Sequence, residues 1–150
     1  MTSPPDPEPR KVVLIVEDQL LIAMALQEEL TELGYWVLDL AVRHQEALGL
    51  ARQVRPDMAL VNIDLAGGDD GSALAWDLKA MGIPVIFISG QKDRVELAKE
   101  AAVASMPKPY SALDLVEAVG YMFRRLAGDT SEPAPPKLDV FALRTSEAAA

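Results

Sequence analysis

The chain has 150 residues, enough for one well-buried core and, once its polar tail is set aside, too few for two. Its formal net charge of −9 would repel nucleic acid and anionic membrane surfaces, and the absence of cysteine excludes disulfides, a thiolate nucleophile and Cys-ligated zinc. No apolar run approaches the ~18 residues that span a bilayer, so we expect a cytoplasmic domain that binds neither nucleic acid nor membrane.

Strand-like and helix-like patterns alternate along the first half of the chain. Strands are predicted at residues 11–16, 36–41 and 58–62, and helices at 19–33 and 44–55. The first strand, KVVLIV, is a continuous apolar run with β-branched side chains, which is typical of a strand covered on both faces. The first helix has an apolar stripe with helical spacing and can end at Gly34, and Pro56 stops the second.

The second half repeats the alternation after a turn cluster at residues 67–71. Strands are predicted at residues 84–89 and 104–106, and helices at 72–81, 94–102 and 111–126. The strand at 104–106 has the poorest pattern and is assigned to a sheet edge. The last helix opens with a capping-box-like pair, Ser111 and Asp114.

Five strands alternating with five helices predict an α/β fold, a doubly wound parallel sheet with helices on both faces. Ligands of such sheets bind outside the carboxyl ends of the strands. The polar residues at those ends are Glu17, Asp18, Asn62, Ser89 and Lys108. We therefore expect any functional site to include them.

The two ends of the chain have a different composition. Residues 1–10 are Pro-rich and acidic and are expected to be disordered; residues 11–127 form the domain, and 128–150 form a Pro-rich linker and tail. Composition favours disorder for the tail as well. The alternative is that its apolar residues dock on this or a partner subunit; they are Leu138, Val140, Phe141 and Leu143.

Three features of the strand ends suggest a phosphoryl site. Glu17 and Asp18 could hold a magnesium ion, which usually takes one or two carboxylates, although a solvated charge pair is the simpler reading. Lys108, between two prolines, could place its ammonium against a phosphoryl oxygen, and Ser89 offers a hydroxyl. A surface lysine and a serine at a strand end are both commonplace, so the argument rests on their common location.

Five segments occur in order and at appropriate spacing: VLIVEDQ, PDMALVNIDL, GGDDG, PVIFISG and MPKPYS. They resemble the signature regions of response-regulator receiver domains of two-component signal transduction, over about residues 11–126. The resemblance implies a flavodoxin-like (βα)5 fold with strand order 2-1-3-4-5. It also implies that Glu17 and Asp18 are the metal-binding acids, Ser89 the switch hydroxyl and Lys108 the phosphate-contacting lysine, with a Lys108–Pro109 bond that is commonly cis in the family.

Two positions, Asn62 and Ser105, depart from that pattern. Asn62 stands where the family has its phosphoacceptor aspartate, and an amide cannot form an acyl phosphate. Asp64, two residues on, resembles the position whose backbone carbonyl helps bind the metal, and its side chain borders the pocket. Ser105 replaces the aromatic switch residue. Asn62 is then a natural loss, a sign that the acceptor has moved to Asp64, or an engineered change; in-line attack requires close positioning, which favours natural loss over a moved acceptor.

The resemblance implies a single-domain response regulator without an output domain, a degenerate pseudo-receiver that is not an enzyme and acts through protein contacts in a phosphorelay. Its partners would be a histidine kinase, a phosphotransfer protein or another signalling protein, with weak Mg²⁺ binding and a partner surface near residues 94–126. The sequence does not decide whether the chain forms a homodimer. Two alternatives are weaker: an aspartate-dependent phosphohydrolase, whose D-x-D motif residues 62–64 distantly resemble, and a flavodoxin-like FMN carrier, whose phosphate the acid pair would repel.

Overall fold

The computed structural model describes residues 10–65 and 70–141. The strands are β1 (Val12–Val16), β2 (Trp36–Val37), β3 (Met58–Asn62), β4 (Val85–Ser89), β5 (Ala104–Pro107) and β6 (Asp139–Val140). The helices are α1 (Leu20–Glu32), α2 (His44–Gln53), α3 (Gly71–Ala80), α4 (Lys92–Ala98) and α5 (Ala112–Leu126), with a 3₁₀ turn at Lys99–Ala101.

The described strands form one sheet in the order β2-β1-β3-β4-β5-β6. The strands β1 to β5 pair in parallel, whereas β6 pairs antiparallel with β5. The predicted α/β class, the parallel doubly wound sheet and the order 2-1-3-4-5 are confirmed. The expected number of five strands is wrong, because the tail adds a sixth strand to the edge that β5 would otherwise expose.

The sheet is covered on both faces, as the apolar character of its strands predicts. Every residue of β1, β3 and β4 is buried. One face packs against α2, α3 and α4, through residues such as Leu48, Leu78, Val95 and Phe87. The other packs against α1 and α5, through residues such as Leu26, Leu30, Val119 and Ile86. Burial of these side chains, each worth about 1.5–3 kcal/mol, fixes the strand ends that carry the site.

Two predicted elements differ in extent. The predicted strand at 36–41 is reduced to β2 and an isolated bridge between Ala41 and Val16, so it pairs regularly with β1 over two residues only. The predicted helix at 94–102 begins earlier and ends at Ala98, where the chain tightens into the 3₁₀ turn. The predicted capping box is confirmed: the hydroxyl of Ser111 accepts from the Asp114 backbone N–H, and the Asp114 carboxylate accepts from that of Ser111.

The described part of the tail packs against the sheet. Leu138 and Phe141 are 7% and 5% exposed, and Val140 is half-buried, so the docking alternative and not disorder describes residues 138–141. Leu143 and the N-terminal residues 1–9 lie outside the described residues, so the expectations for them stay predictions, as do the domain boundaries. Among the described helices, none is long and apolar enough to cross a membrane.

Candidate functional site

The sequence-predicted site residues meet at one edge of the sheet. Glu17 and Asp18 directly follow β1, Asn62 and Ser89 end β3 and β4, and Lys108 follows β5. Because these strands are parallel and neighbouring, their carboxyl ends bring the five residues to the same edge. The amide, two acids, hydroxyl and ammonium therefore surround one location.

The Asn62 side chain is buried and hydrogen-bonded at both ends. Its Nδ2 atom donates to Oε2 of Glu17 at 2.6 Å and, more weakly, to Oδ1 of Asp18 at 3.4 Å. Its Oδ1 atom accepts from the backbone N–H of Asp64 at 3.0 Å. A flipped amide would turn its NH₂ toward another N–H donor and its oxygen toward two acids, so the surroundings select this orientation. A neutral donor thus bridges the acid pair.

The Glu17 carboxyl lies inside the protein. Burial raises its pKa, and hydrogen bonds from Asn62 and the Gln19 backbone together with the charge of Lys108 offset only part of that effect. Its Oε1 atom has no hydrogen-bond partner among the described residues. A buried carboxylate oxygen without a donor is costly in the free protein and is available to a cation.

Asp64 turns its carboxylate toward α4. One oxygen pairs with the Arg94 guanidinium, which also contacts the Asp70 carboxylate at 2.9 Å. Asp70 caps α3 through the Ser72 backbone N–H. Although burial opposes its ionisation, hydrogen bonds from Ser72 and the charge of Arg94 lower the pKa of Asp70. The sequence contained no signal for this contact, because Arg94 lies 30 residues from Asp64 and belongs to a different predicted element.

Asp64 was expected to border the acid pocket as a third metal-site residue. Within the part of the chain that the structure describes, no group of three or more His, Asp or Glu side chains is arranged to hold a metal ion. Glu17 and Asp18 come together as expected, whereas the Asp64 carboxylate is engaged by Arg94. The acid cluster is therefore a pair.

Ser89 and Lys108 are joined through the backbone. The Lys108 N–H donates to the Ser89 carbonyl at 2.9 Å, and the Lys108–Pro109 peptide bond is cis, as the resemblance implied. The Ser89 hydroxyl closes a local turn, accepting from the Gln91 N–H at 2.8 Å and donating to the Gln91 carbonyl at 3.2 Å. In this conformation the hydroxyl is committed to the backbone that leads into α4.

Two residues in and after β5 complete the site. Ser105 replaces the aromatic residue of the family, and Tyr110 was not singled out by the sequence. Ser105 is buried in β5, paired in register with Phe87 on one side and Asp139 on the other, so a small side chain lies beneath the tail where the family has an aromatic. The hydroxyl of Tyr110 is buried without a hydrogen-bond partner among the described residues. Burial, and secondly the charge of Glu17, raise the pKa of Tyr110.

Residues 13–120 match the family model of the response regulator receiver domain. The chain belongs to this family. The match includes β2 to β5 and all of β1 except Val12, and it contains the acid pair, Asn62, Ser89 and Lys108.

Two of the similar curated proteins are regulators that are longer than the part this chain covers. The transcriptional regulatory protein PdtaR of Mycobacterium tuberculosis is 36% identical over 114 residues, which is 74% of this chain and 55% of PdtaR. The phyllosphere-induced regulator PhyR of Methylorubrum extorquens is 39% identical over 84 residues, covering 55% of this chain and 32% of PhyR. The chain thus spans about half of PdtaR and a third of PhyR.

The fold also matches solved receiver domains. The signal receiver domain of a modulated diguanylate cyclase from Desulfovibrio desulfuricans G20 superimposes with a TM-score of 0.66 at 34% identity, over 79% of this chain and 99% of that one. A CheY-like receiver domain protein from Methanospirillum hungatei gives a TM-score of 0.71 at 24% identity, over 78% of this chain and 96% of that one, which bears on the fold alone.

Proposed function

We propose that this receiver domain is a pseudo-receiver, which signals in a two-component pathway through protein contacts and does not accept a phosphoryl group itself. The observation that supports the proposal best is the Asn62 amide, which ends β3 and bridges the two acids. An amide nitrogen whose hydrogens point at carboxylates is not a nucleophile. The bridge also supplies part of the stabilisation that a cation would otherwise give the acid pair.

An acceptor shift to Asp64 is the less favoured reading. Its carboxylate pairs with Arg94, and its backbone N–H is held by Asn62, so the side chain starts from a loop position directed toward α4. In-line attack needs the nucleophile placed within fractions of an ångström of the reactive geometry. Transfer to Asp64 would require the pair with Arg94 to break and the loop to rearrange.

The acid pair fits a weakly held magnesium ion. Glu17 provides a buried oxygen without a donor, and Asp18 is adjacent, which is the hard oxygen donor set that magnesium prefers. The Asn62 amide competes for the same carboxylates and brings no negative charge. We assign the ion to Glu17 and Asp18, leaving the Asp64 carboxylate to Arg94. When bound, magnesium would neutralise the acids; Lys108 adds positive charge near Glu17.

The partner in this proposal is a histidine kinase, a phosphotransfer protein or another signalling protein. We propose α4, β5 and α5 as the partner surface, as the family resemblance implies. Its state would be set by internal contacts, Asn62 with the acids and Arg94 with Asp64, instead of by a phosphoryl group. Binding to that partner is then the same with and without a phosphodonor.

Intact-mass spectrometry after incubation with magnesium and acetyl phosphate tests the proposal. The wild type should gain no phosphoryl mass, whereas Asn62→Asp should gain one group, because Glu17, Ser89 and Lys108 still surround position 62. Asp93→Asn, an exposed change in α4, is the control for Asp64→Asn. A labelled wild type that loses its label in Asp64→Asn but not in Asp93→Asn would replace the pseudo-receiver with a moved acceptor.

A further inference from the structure

The outer edge of β5 is covered by a segment that lies beyond the receiver pattern. The family match ends at residue 120 and α5 at Leu126, whereas β6 begins at Asp139. Val140 and Asp139 pair with Ala104 and Ser105, and the Phe141 N–H donates to the Val103 carbonyl at 3.0 Å. The exposed edge of a sheet accepts extended chain in this way, and here it already does so.

Two apolar anchors define what the edge accepts. Leu138 lies on the α5 side of the sheet, in the core with Ala104 and Leu115. Phe141 lies on the opposite side, in the core with Val95, and the Lys99 ammonium stands 5.2 Å from the centre of its ring. The ligand pattern is therefore an apolar residue, two spacers and an aromatic residue, in an extended chain antiparallel to β5.

The segment at residues 138–141 pairs with β5 over a short length, and its covalent link to α5 helps to hold it there. β6 pairs with two of the four residues of β5. The ion pairs that flank it, Lys137 with Asp114 and Arg124 with Glu132, are exposed and contribute little. A flexible tether supplies an effective concentration on the order of millimolar, which holds even a weak intramolecular strand in place. A strand from outside can exceed it by pairing opposite Met106 as well, whereas Pro107 has no N–H to donate.

We propose that the β5 edge is a peptide-binding site for an extended segment of another protein that carries this apolar-x-x-aromatic pattern, and that residues 138–141 occupy the site when no partner is bound. A second copy of the chain is the weaker occupant. Its segment would leave an equivalent edge of its own, so exchange gains neither ladder pairs nor anchors. The site is the β5 part of the proposed partner surface and so rests on the proposed function, but strand pairing along β5 involves no contact with Asn62.

A fluorescent peptide of residues 136–142, PKLDVFA, is the probe, and fluorescence anisotropy is the measurement. The full chain with Leu138→Asp and Phe141→Asp together should release its own segment and bind the peptide at least about tenfold more tightly than the wild type does. Leu97→Asp, an exposed change in α4, should bind it like the wild type. A peptide with aspartate at both anchor positions should not bind the double variant.

Equal affinity of the wild type and the double variant, or no binding to a folded double variant, would overturn the proposal. A wild-type dimer in sedimentation analysis that the double variant loses would assign the edge to a second copy and overturn it too. Hydrogen exchange of the wild type keeps the test decisive if the double variant does not fold. The Phe141 amide should exchange at least about tenfold faster than that of Val61 in β3, through local opening. Exchange of both at the same global rate would refute a displaceable strand.

Discussion

Replacing Asn62 by aspartate puts a third carboxylate between Glu17 and Asp18. The amide nitrogen now lies 2.6 Å from Oε2 of Glu17, so the new oxygen would meet an acceptor where the wild type has a donor. In metal-free solution the site relieves this conflict by retaining a proton, with which the new carboxyl can still donate to Glu17. We therefore expect Asn62→Asp to fold but to lose stability in a way that depends on pH.

The loss of stability in Asn62→Asp cannot exceed the smaller of two free-energy costs: repulsion between two charged carboxylates, or protonation of one of them. Two carboxylates ~3 Å apart repel by about 5 kcal/mol at an effective dielectric constant of about 20. Keeping an aspartic acid of ordinary pKa near 3.9 protonated at pH 7 costs about 4 kcal/mol, and at pH 5 about 1.5 kcal/mol. Protonation costs less than the repulsion, so its cost is the upper limit of the destabilisation. The folded-state pKa of the new carboxyl is raised above its unfolded value, so the loss is absent below about pH 4 and grows as pH rises toward the folded-state pKa.

Urea denaturation of Asn62→Asp at pH 5 and pH 7, with chelator and with excess magnesium, measures these quantities. A magnesium concentration about a hundredfold above the dissociation constant should return about 2.7 kcal/mol. Gln91→Glu, an exposed amide-to-acid change at the same edge, is the control and should stay within about 0.5 kcal/mol of the wild type. A variant as stable as the wild type at pH 7 without metal, or equally destabilised at both pH values, would refute the reasoning.

Three further changes test the supports of the site. A Cβ atom at Gly71 would lie 2.3 Å from the Asn62 carbonyl oxygen, so Gly71→Ala should lower the free energy of unfolding by about 2–3 kcal/mol; an unchanged urea midpoint would contradict that close approach. Ser111→Ala removes the α5 cap and should lower it by about 1 kcal/mol, with Ser131→Ala, outside the helices, as the thermal-denaturation control. Arg94→Met breaks two partly exposed ion pairs and should cost under about 1 kcal/mol in the same assay; a loss of several kcal/mol would mean that the loop depends on Arg94 for folding.

Patterns within the sequence were sufficient to predict the class of the fold and the elements that face the core. Apolar runs such as residues 84–89 can be buried on both faces only in a parallel sheet between helices, and the helical stripes supply the cover. The same patterning placed Glu17, Asn62, Ser89 and Lys108 at strand ends, which the parallel topology then brings together. Local rules were also sufficient for the capping box of α5, because its two partners are three residues apart.

Tertiary structure alone decided the contacts between residues far apart in sequence. The pairing of Asp64 with Arg94 depends on how α4 lies against the loop after β3, which no local periodicity encodes. The tail became β6 because β5 offered an open edge with an apolar core on each face, whereas the composition of the tail, considered without that edge, favoured disorder. The same holds for Asn62. The sequence identified it as an amide in place of an acid, but its orientation follows from three partners, two of them the acids that directly follow β1, which converge only in the folded sheet.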